Sequence, residues 1–514
     1  MSKEPCKEPD VASVLEIEET ASLSDKSLDA EYKRKERRVL RKIEIEETAS
    51  LSDKSLDVEY KRKERRVLRK IDMRILSLTA IAYMLNHIDR TNLANARIMN
   101  TDVPGASMVE QLKLHGDRFG HIITAYYAAY IIFELPSNFL LKCFGPAAHL
   151  SRIIIGWGIV TTCSAAVQSY EGMILNRIAL AIAESGFFPG VIYYYTFYYN
   201  DDERAFRIAL FVASSSLSGA FSGLLATACS YLNGVGHPAL SGWRWLNIVE
   251  GIPTILLGIL VYFLLPDYPE TAKFLTPEER EIAVRRLGAS ASKATNEPFK
   301  WSSILNVLKS WDFYFFALLW QFLAMGTSAF SFFAPTIINN LDPNFEGVRA
   351  QLLSIPPSFL AFVLTITSGY LSDKARNRPA FIMAGIVLVS GGYLILAVDK
   401  KVVGPRLLAV FMLALANMSI IPLAAYRLST QKLGGKNSDS TSVAFTSSAT
   451  VALANVSGLT APAILDSGLR FDYKCYIFLA FFIVAAVQTL FAWWWFGSGV
   501  EALPGPEAKE KSLC

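Results

Sequence analysis

Arg177 and Glu184 are the only charged residues in the run Ile174 to Tyr194, which reads ILNRIALAIAESGFFPGVIYY. A run of this length and character is a membrane span. Each charge left at a bilayer centre costs roughly 2.5–3.5 kcal/mol on insertion scales, so both side chains must face protein or water. On one continuous helix, residues seven apart share a face and lie about 10 Å apart along the axis, too far to be each other's sole partner. Two readings follow. The charges form a structural ion-pair set that locks this helix to its neighbours, or they belong to a transport site. Ionisable groups of both signs in one cavity suit an anionic solute and a proton.

The rest of the chain supplies the setting those charges need. Of 514 residues, 52% are hydrophobic, 12% aromatic and only 19% charged, and mean hydropathy is +0.31. This is the composition of a polytopic membrane protein. The net charge of +4 gives no case for nucleic-acid binding, and the basic runs abut expected spans, where positive-inside topology accounts for them. There is no Walker A sequence, which points to an ion gradient as the energy source. Cys6, Cys143, Cys163, Cys229, Cys475 and Cys514 show no paired spacing, so neither disulfides nor a metal site is expected, and Cys514 is misplaced for prenylation. With no nucleophile–base pattern and no cofactor loop, the chain reads as a non-enzyme without cofactor.

Residues 1–71 form a polar tail in which EIEETASLSDKSLDAEYKRKERRVLRKI at 16–43 recurs at 44–71 with one change, Ala30 against Val58. Two copies with so few apolar residues cannot bury a shared core. The basic run KRKERRVLRKI in each copy suits a short helix against an anionic cytosolic leaflet. Twelve apolar runs follow: 73–95, 121–142, 149–168, 172–194, 205–231, 245–265, 312–338, 350–371, 380–398, 406–428, 441–465 and 473–496. Each is near or above the roughly 20 residues a bilayer core requires, and an even number puts both termini on one side. Charges at Lys142, Arg152, Arg204, Arg207, Lys374, Arg376, Arg378, Lys432 and Lys436 favour a cytosolic one, although DKKVVGPR at 399–406 runs against the rule. Several tryptophans, Trp243 and Trp493 to Trp495 among them, stand at run ends, as interfacial residues do.

Residues 266–310 form a polar linker between the sixth and seventh runs. Thr276-Pro277-Glu278-Glu279 is a capping box with Pro at the first helical position, opening EEREIAVRRL, and Gly288 is the expected stop. The organisation is therefore a six-helix bundle at 72–265, a cytosolic linker with a short amphipathic helix, a second bundle at 311–497 and a tail at 498–514. Two parallel repeats of six spans are a carrier architecture.

DRTNLANARI (89–98), FELPSNFLLKCFGP (133–146), ESGFFPGVIYY (184–194), RIALFVASSSLSGAFSGLLA (207–226), GWRWLNIVEGIPTILLGILVYFLLPDYPETAKFLTPEE (242–279) and QLLSIPPSF (351–359) together resemble the major facilitator superfamily. Within it they resemble the anion:cation symporter group, in the fungal allantoate permease branch. The resemblance covers about Arg69 to Gly497. It implies an all-α membrane fold of twelve transmembrane helices in two six-helix bundles around a central cavity. GYLSDKARNR (369–378) is similar to the superfamily's cytosolic signature, in which the matching residues, Asp373 and Arg376, gate the inward opening. The first-half equivalent, KCFGPAAHL, lacks the acid.

Carried onto this sequence, the resemblance assigns substrate attraction to Arg90 and Arg177 and proton coupling to Glu184 and Asp89. The chemistry agrees, since a guanidinium grips a carboxylate through two parallel hydrogen bonds and a partly desolvated carboxyl loads a proton near neutral pH. Asn86, Tyr126, Tyr130, Gln321 and Asn417 are further candidates for solute contacts, against the plainer role of interhelical glue. Glu134 and Glu250 read as helix braces. His87 reads as a packed histidine or a pH sensor. Arg427 either snorkels to the inner interface or adds positive charge to a cavity mouth. The expected activity is proton-coupled uptake of a small organic anion (a carboxylate, vitamin-like acid or sulfonate) by a monomer in the plasma membrane. Its partners are that anion, the proton and the lipid bilayer. A metabolite exporter and a non-transporting nutrient receptor are the alternatives.

Overall fold

The computed structural model describes residues 59–236, 239–296, 301–339, 348–398, 402–433, 440–465 and 467–497. The first repeat copy, residues 44–58 of the second, and the tail at 498–514 lie outside the described residues. The chain divides into two units, Met1–Arg69 and Lys70–Cys514. In the first, residues 59–69 are helical, with Lys63 and Glu59 paired at 3.0 Å one turn apart. This is the helix expected of the basic run.

The second unit is helical, and every one of the twelve apolar runs coincides with helix. After a π turn at Asp72–Leu76, the first six spans are α1 (Ser77–Ile98), α2 (Arg118–Phe144), α3 (Pro146–Cys163), α4 with α5 (Tyr170–Glu184, Phe187–Tyr195), α6 (Asp201–Ser230) and α7 (Gly242–Leu264). The linker forms α8 (Pro277–Asn296) and α9 (Trp301–Lys309). The second six spans are α10 (Trp311–Asn339), α11 with α12 (Val348–Leu353, Ile355–Lys374), α13 (Arg378–Val398), α14 with α15 (Val403–Ala414, Ile420–Leu433), α16 with α17 (Ser440–Ala454, Ser457–Leu465) and α18 (Phe471–Phe496). Among the described residues, eight of these spans pass by length and apolarity alone as membrane-crossing helices.

The fourth span corrects the sequence reading of one continuous helix. It breaks between Glu184 and Phe187, where Ser185 is extended (ψ 136°) and Gly186 is left-handed (φ 87°). A side chain at Gly186 would sit 2.3 Å from Ser137 Oγ on α2, so the close approach of α2 and the positive φ both require glycine. The tenth span is likewise interrupted by a 3₁₀ stretch, Leu415–Ser419, and the eleventh by a turn at Asn455–Val456. Glu184, Asn417 and Asn455 all sit at such breaks, where the α-helical ladder stops and backbone groups are freed for other partners.

The linker helix also differs from its expected length. Thr276 and Glu279 form the capping box, with Glu279 N–H donating to Thr276 Oγ1 at 3.3 Å and Thr276 N–H to Glu279 Oε2 at 3.1 Å. The helix then runs through Gly288 to Asn296. One interior glycine costs about 1 kcal/mol relative to alanine, and the alanines that follow favour continuation. The Glu279 carboxyl accepts from Lys70 Nζ at 2.6 Å, and that bond holds it below the usual carboxylate range.

The end of the bundle where α1 begins is here the near end, and the opposite one the far end. Near-end contacts are ionic: Arg207 grips Asp72 through two bonds of 2.6 and 2.8 Å, and Arg286 pairs with Glu203. At the far end, Ile98, Ile338, Ala350 and Val410 form an apolar cluster, and beside it Thr227 donates to Gln351 Oε1 at 3.2 Å.

Candidate functional site

Between the two halves lies a cavity of about 200 Å³. The first half lines it with Tyr83, His87, Arg90 and Thr91 from α1, Tyr127 and Tyr130 from α2, Phe188 from α5 and Phe206 from α6. The second half contributes Trp320, Thr327 and Ser331 from α10, Asn417, Arg427 from α15, Thr446 and Thr450 from α16, and Asn455. One wall is therefore aromatic and cationic, and the other is mostly hydroxyl and amide. No carboxylate lines the cavity among the described residues. The lining reaches from mid-bundle to near-end residues such as Phe206, Ser372 and Arg427, so the cavity faces the near end while the far end is packed shut.

Arg90 is the cation at the centre of this lining. Its Nε donates to Glu184 Oε2 at 3.1 Å, and its guanidinium stands 4.8 Å from the Tyr130 ring centroid and 5.5 Å from that of Tyr126. The Tyr126 hydroxyl donates to the same Glu184 oxygen, while Glu184 Oε1 has no hydrogen-bond partner. Glu184 is fully buried and Arg90 is 11% exposed, so the arginine presents the pair to the cavity from a carboxylate behind it. The break after α4 makes this possible, because Glu184 is the last residue of that helix and faces α1 and α2.

Arg177 lies deeper and does not line the cavity. It is 5% exposed, and its Nη1 donates to the Asp89 backbone oxygen at 3.5 Å. The Asp89 carboxyl is turned toward Trp157 and Thr161 on α3, with Arg177 and Glu184 as its charged neighbours, and neither oxygen reaches hydrogen-bond geometry. Glu250 on α7 accepts from Asn92 Nδ2 and has Asp89 and Arg177 as charged neighbours. Thus Asp89, Arg90, Arg177 and Glu184 come together with Glu250 as one buried charge network joining α1, α4 and α7, of which Arg90 alone reaches the cavity.

The other candidates divide. Tyr130 and Asn417 line the cavity, and Asn417 bridges the halves by donating to Ser216 Oγ at 2.9 Å while accepting from Thr327 at 3.2 Å. Tyr126 sits behind Tyr130, ring centroids 5.9 Å apart. Asn86 is buried away from the lining with Nδ2 unpartnered, and Gln321 donates to Thr460 at 3.5 Å, also off the cavity. Arg376 is exposed in the turn after α12 with φ 50°, and the side chain of Asp373 lies outside the described residues. Arg427 is buried, pairs with Asp312 at 2.7 Å, and lines the near-end part of the cavity. His87 lines the cavity with Nε2 unpartnered and packs edge-on to Tyr83 at 4.6 Å. Asn455 escaped the sequence reading, because one asparagine in the apolar run 441–465 carries no signal until the break at that position is seen.

Residues 79–458 match the family model described as Major Facilitator Superfamily. Among curated relatives, the MFS transporter prlL of a fungal species is 35% identical over 327 residues, 64% of this chain and 65% of that protein. The MFS-type transporter efuF of Hormonema carpetanum is 31% identical over 345 residues, 67% of this chain and 68% of that one. The aligned part thus spans about two thirds of these relatives, just under that share for prlL. In solved structures, the xylose transporter XylE from E. coli, in a partially occluded inward-open conformation, aligns with a TM-score of 0.61 at 16% identity over 83% of this chain and 98% of that one. An inward-facing, unoccupied bacterial homologue of the human lysosomal transporter Spinster aligns at 0.60 and 16%, over 84% and 98%.

Proposed function

From the premise that this chain belongs to the Major Facilitator Superfamily, and so is a multi-pass membrane transporter of that type, we propose that it takes up a small organic anion together with protons. The carrying observation is the Arg90–Glu184 pair: a guanidinium on the wall of a cavity that no carboxylate lines among the described residues, backed by a fully buried acid. Arg90 attracts the solute's carboxylate or sulfonate, which competes with Glu184 for the guanidinium, and the acid released from that pairing binds a proton. Solute binding and proton binding are thereby linked through one arginine. Arg177 holds the network in place from behind, and Asp89 is the second candidate proton site. In the buried network behind the cavity, the guanidinium groups of Arg90 and Arg177 stand against the carboxyls of Asp89, Glu184 and Glu250, so full ionisation leaves uncompensated negative charge that protons relieve.

The cavity volume favours a small solute. About 200 Å³ is below the ~300–1,000 Å³ of sites for drug-sized ligands. Further parts of the proposal are placement in the anion:cation symporter group, a plasma-membrane location, cytosolic termini and a monomeric carrier. The near end is then the cytosolic one, where Asp373 and Arg376 gate the opening.

The test is mass spectrometry of medium and washed cells for a pool of small carboxylates and sulfonates, with and without the protein, at two external pH values and with a protonophore. Uptake of one compound, faster in acid and lost with the protonophore, is the expected result. The Glu184→Gln variant should lose accumulation yet keep exchange of internal for external solute. Movement outward instead replaces uptake with export, and accumulation by Glu184→Gln removes that residue from coupling.

A further inference from the structure

The seam between α2 and the α16–α17 break carries a buried acid that the transport site does not use. Glu134 is 0% exposed, and Asn455 Nδ2 donates to its Oε2 at 3.4 Å across the boundary between the halves. Its Oε1 is buried with no hydrogen-bond partner. The charged and titratable groups facing it are Arg90 and Tyr83 from α1 and Tyr130 one turn away on α2. Of these, Arg90 is already engaged by Glu184. One turn further along the same seam, Gly458 packs against Tyr127 so closely that a side chain there would lie 2.3 Å from the ring. Opening the far end has to part Tyr127 from Gly458 and pull Asn455 away from Glu134.

We propose that Glu134 is a further proton-binding site, apart from Glu184 and Asp89, whose occupancy decides whether the α2–α17 seam is closed or open. Enclosed with one neutral amide donor and an empty second oxygen, this carboxyl is a poor place for a charge, so closure of the seam takes up a proton. Release of that proton leaves a carboxylate that demands water or more donors, and the seam must open to supply them. Asn455 reports the state of the first half to the second, beside the solute, since it also lines the cavity. The inference rests on the proton-coupled reading above, which names Glu184 as the solute-linked site, and assigns the conformational step to a different acid.

The experiment uses the full chain in lipid nanodiscs, native cysteines replaced, with spin labels at His121→Cys and Leu469→Cys. These positions flank the far end of the seam, and the distance between labels is measured by electron resonance from pH 5 to pH 8 without solute. The short, far-closed distance should dominate at pH 5, and a longer distance should grow at least threefold in population by pH 8. Glu134→Gln keeps an acceptor for Asn455 but cannot lose a proton, so it should stay short across the range. Glu134→Asp should restore the response, and Glu184→Gln should retain it. A pH response in Glu134→Gln equal to that of the parent, or none in the parent, overturns the proposal. A response abolished by Glu184→Gln and untouched by Glu134→Gln overturns it while leaving proton coupling at the transport site intact. Glu134 as a mere brace predicts that same unchanged response in the Gln variant.

Discussion

The two halves share a fold and differ in what they bury. The first half encloses Asp89, Arg90, Glu134, Arg177, Glu184 and Glu250, most of them within 5% of full burial. The second half buries a continuous apolar cluster that includes Phe316, Leu323, Met325, Ile382, Tyr393, Phe478 and Phe482, with Tyr393 stacked on Phe478 at 5.0 Å. Its described charge on the cavity, Arg427, is neutralised by Asp312 near the bundle's end. An apolar core in contact with lipid is held by close packing and holds one shape. A charge network rearranges when a proton or an anion arrives. In the proposed cycle the first half is the sensing element, and the second is a stiff body that moves against it, offering hydroxyls and amides to the solute.

Arg90→Ala should break that contrast most severely. It leaves Glu184 buried without its cation, a loss of about 3–5 kcal/mol when one partner of a buried pair goes, and it removes the first half's cation from the cavity wall. Both melting temperature and uptake should collapse, whereas Arg90→Lys should restore folding with a weaker apparent affinity. Stability comparable to the parent in Arg90→Ala would mean the network is not a unit.

Phe482→Ala should cost about 3–5 kcal/mol in stability, with uptake per folded molecule and its pH dependence unchanged. A changed pH profile there would show that the second half also senses. Gly186→Ala forces a Cβ into Ser137 and a left-handed backbone on alanine, a strain of about 1–3 kcal/mol. Because the break orients Glu184, this variant should also weaken coupling, and Gly186→Ala with Ser137→Gly should recover part of the stability. The smallest effect is expected at the near end. Glu279 is held below its ordinary range by Lys70, so this pair's contribution is present at neutral pH and lost as pH falls through the lowered value. Exposed pairs of this kind are worth about 0.2–1 kcal/mol. Lys70→Ala should thus lower thermal stability slightly at pH 7, with the difference from the parent shrinking as Glu279 protonates in acid.

Much of this was legible in the residues. Arg177 and Glu184 declared themselves as charges that lipid cannot accept, and the capping box at Thr276 fixed where the linker helix starts. Hydropathy could not show that the fourth, tenth and eleventh spans break, because Ser185-Gly186, Asn417 and Asn455 are single small or polar positions in apolar runs. Spacing along one helix showed that Glu184 needs a partner besides Arg177, yet it could not reveal that this partner is Arg90, 94 positions away.

The sequence by itself determined the membrane class, the twelve spans and the half that would carry the charges, since the cost of placing each residue type in lipid acts locally and can be read residue by residue. Only the tertiary structure decided which arginine meets the cavity, which acid backs it and which acid stands on the seam. Those assignments depend on where helices break and how closely their neighbours approach, and no single run of the chain contains that information.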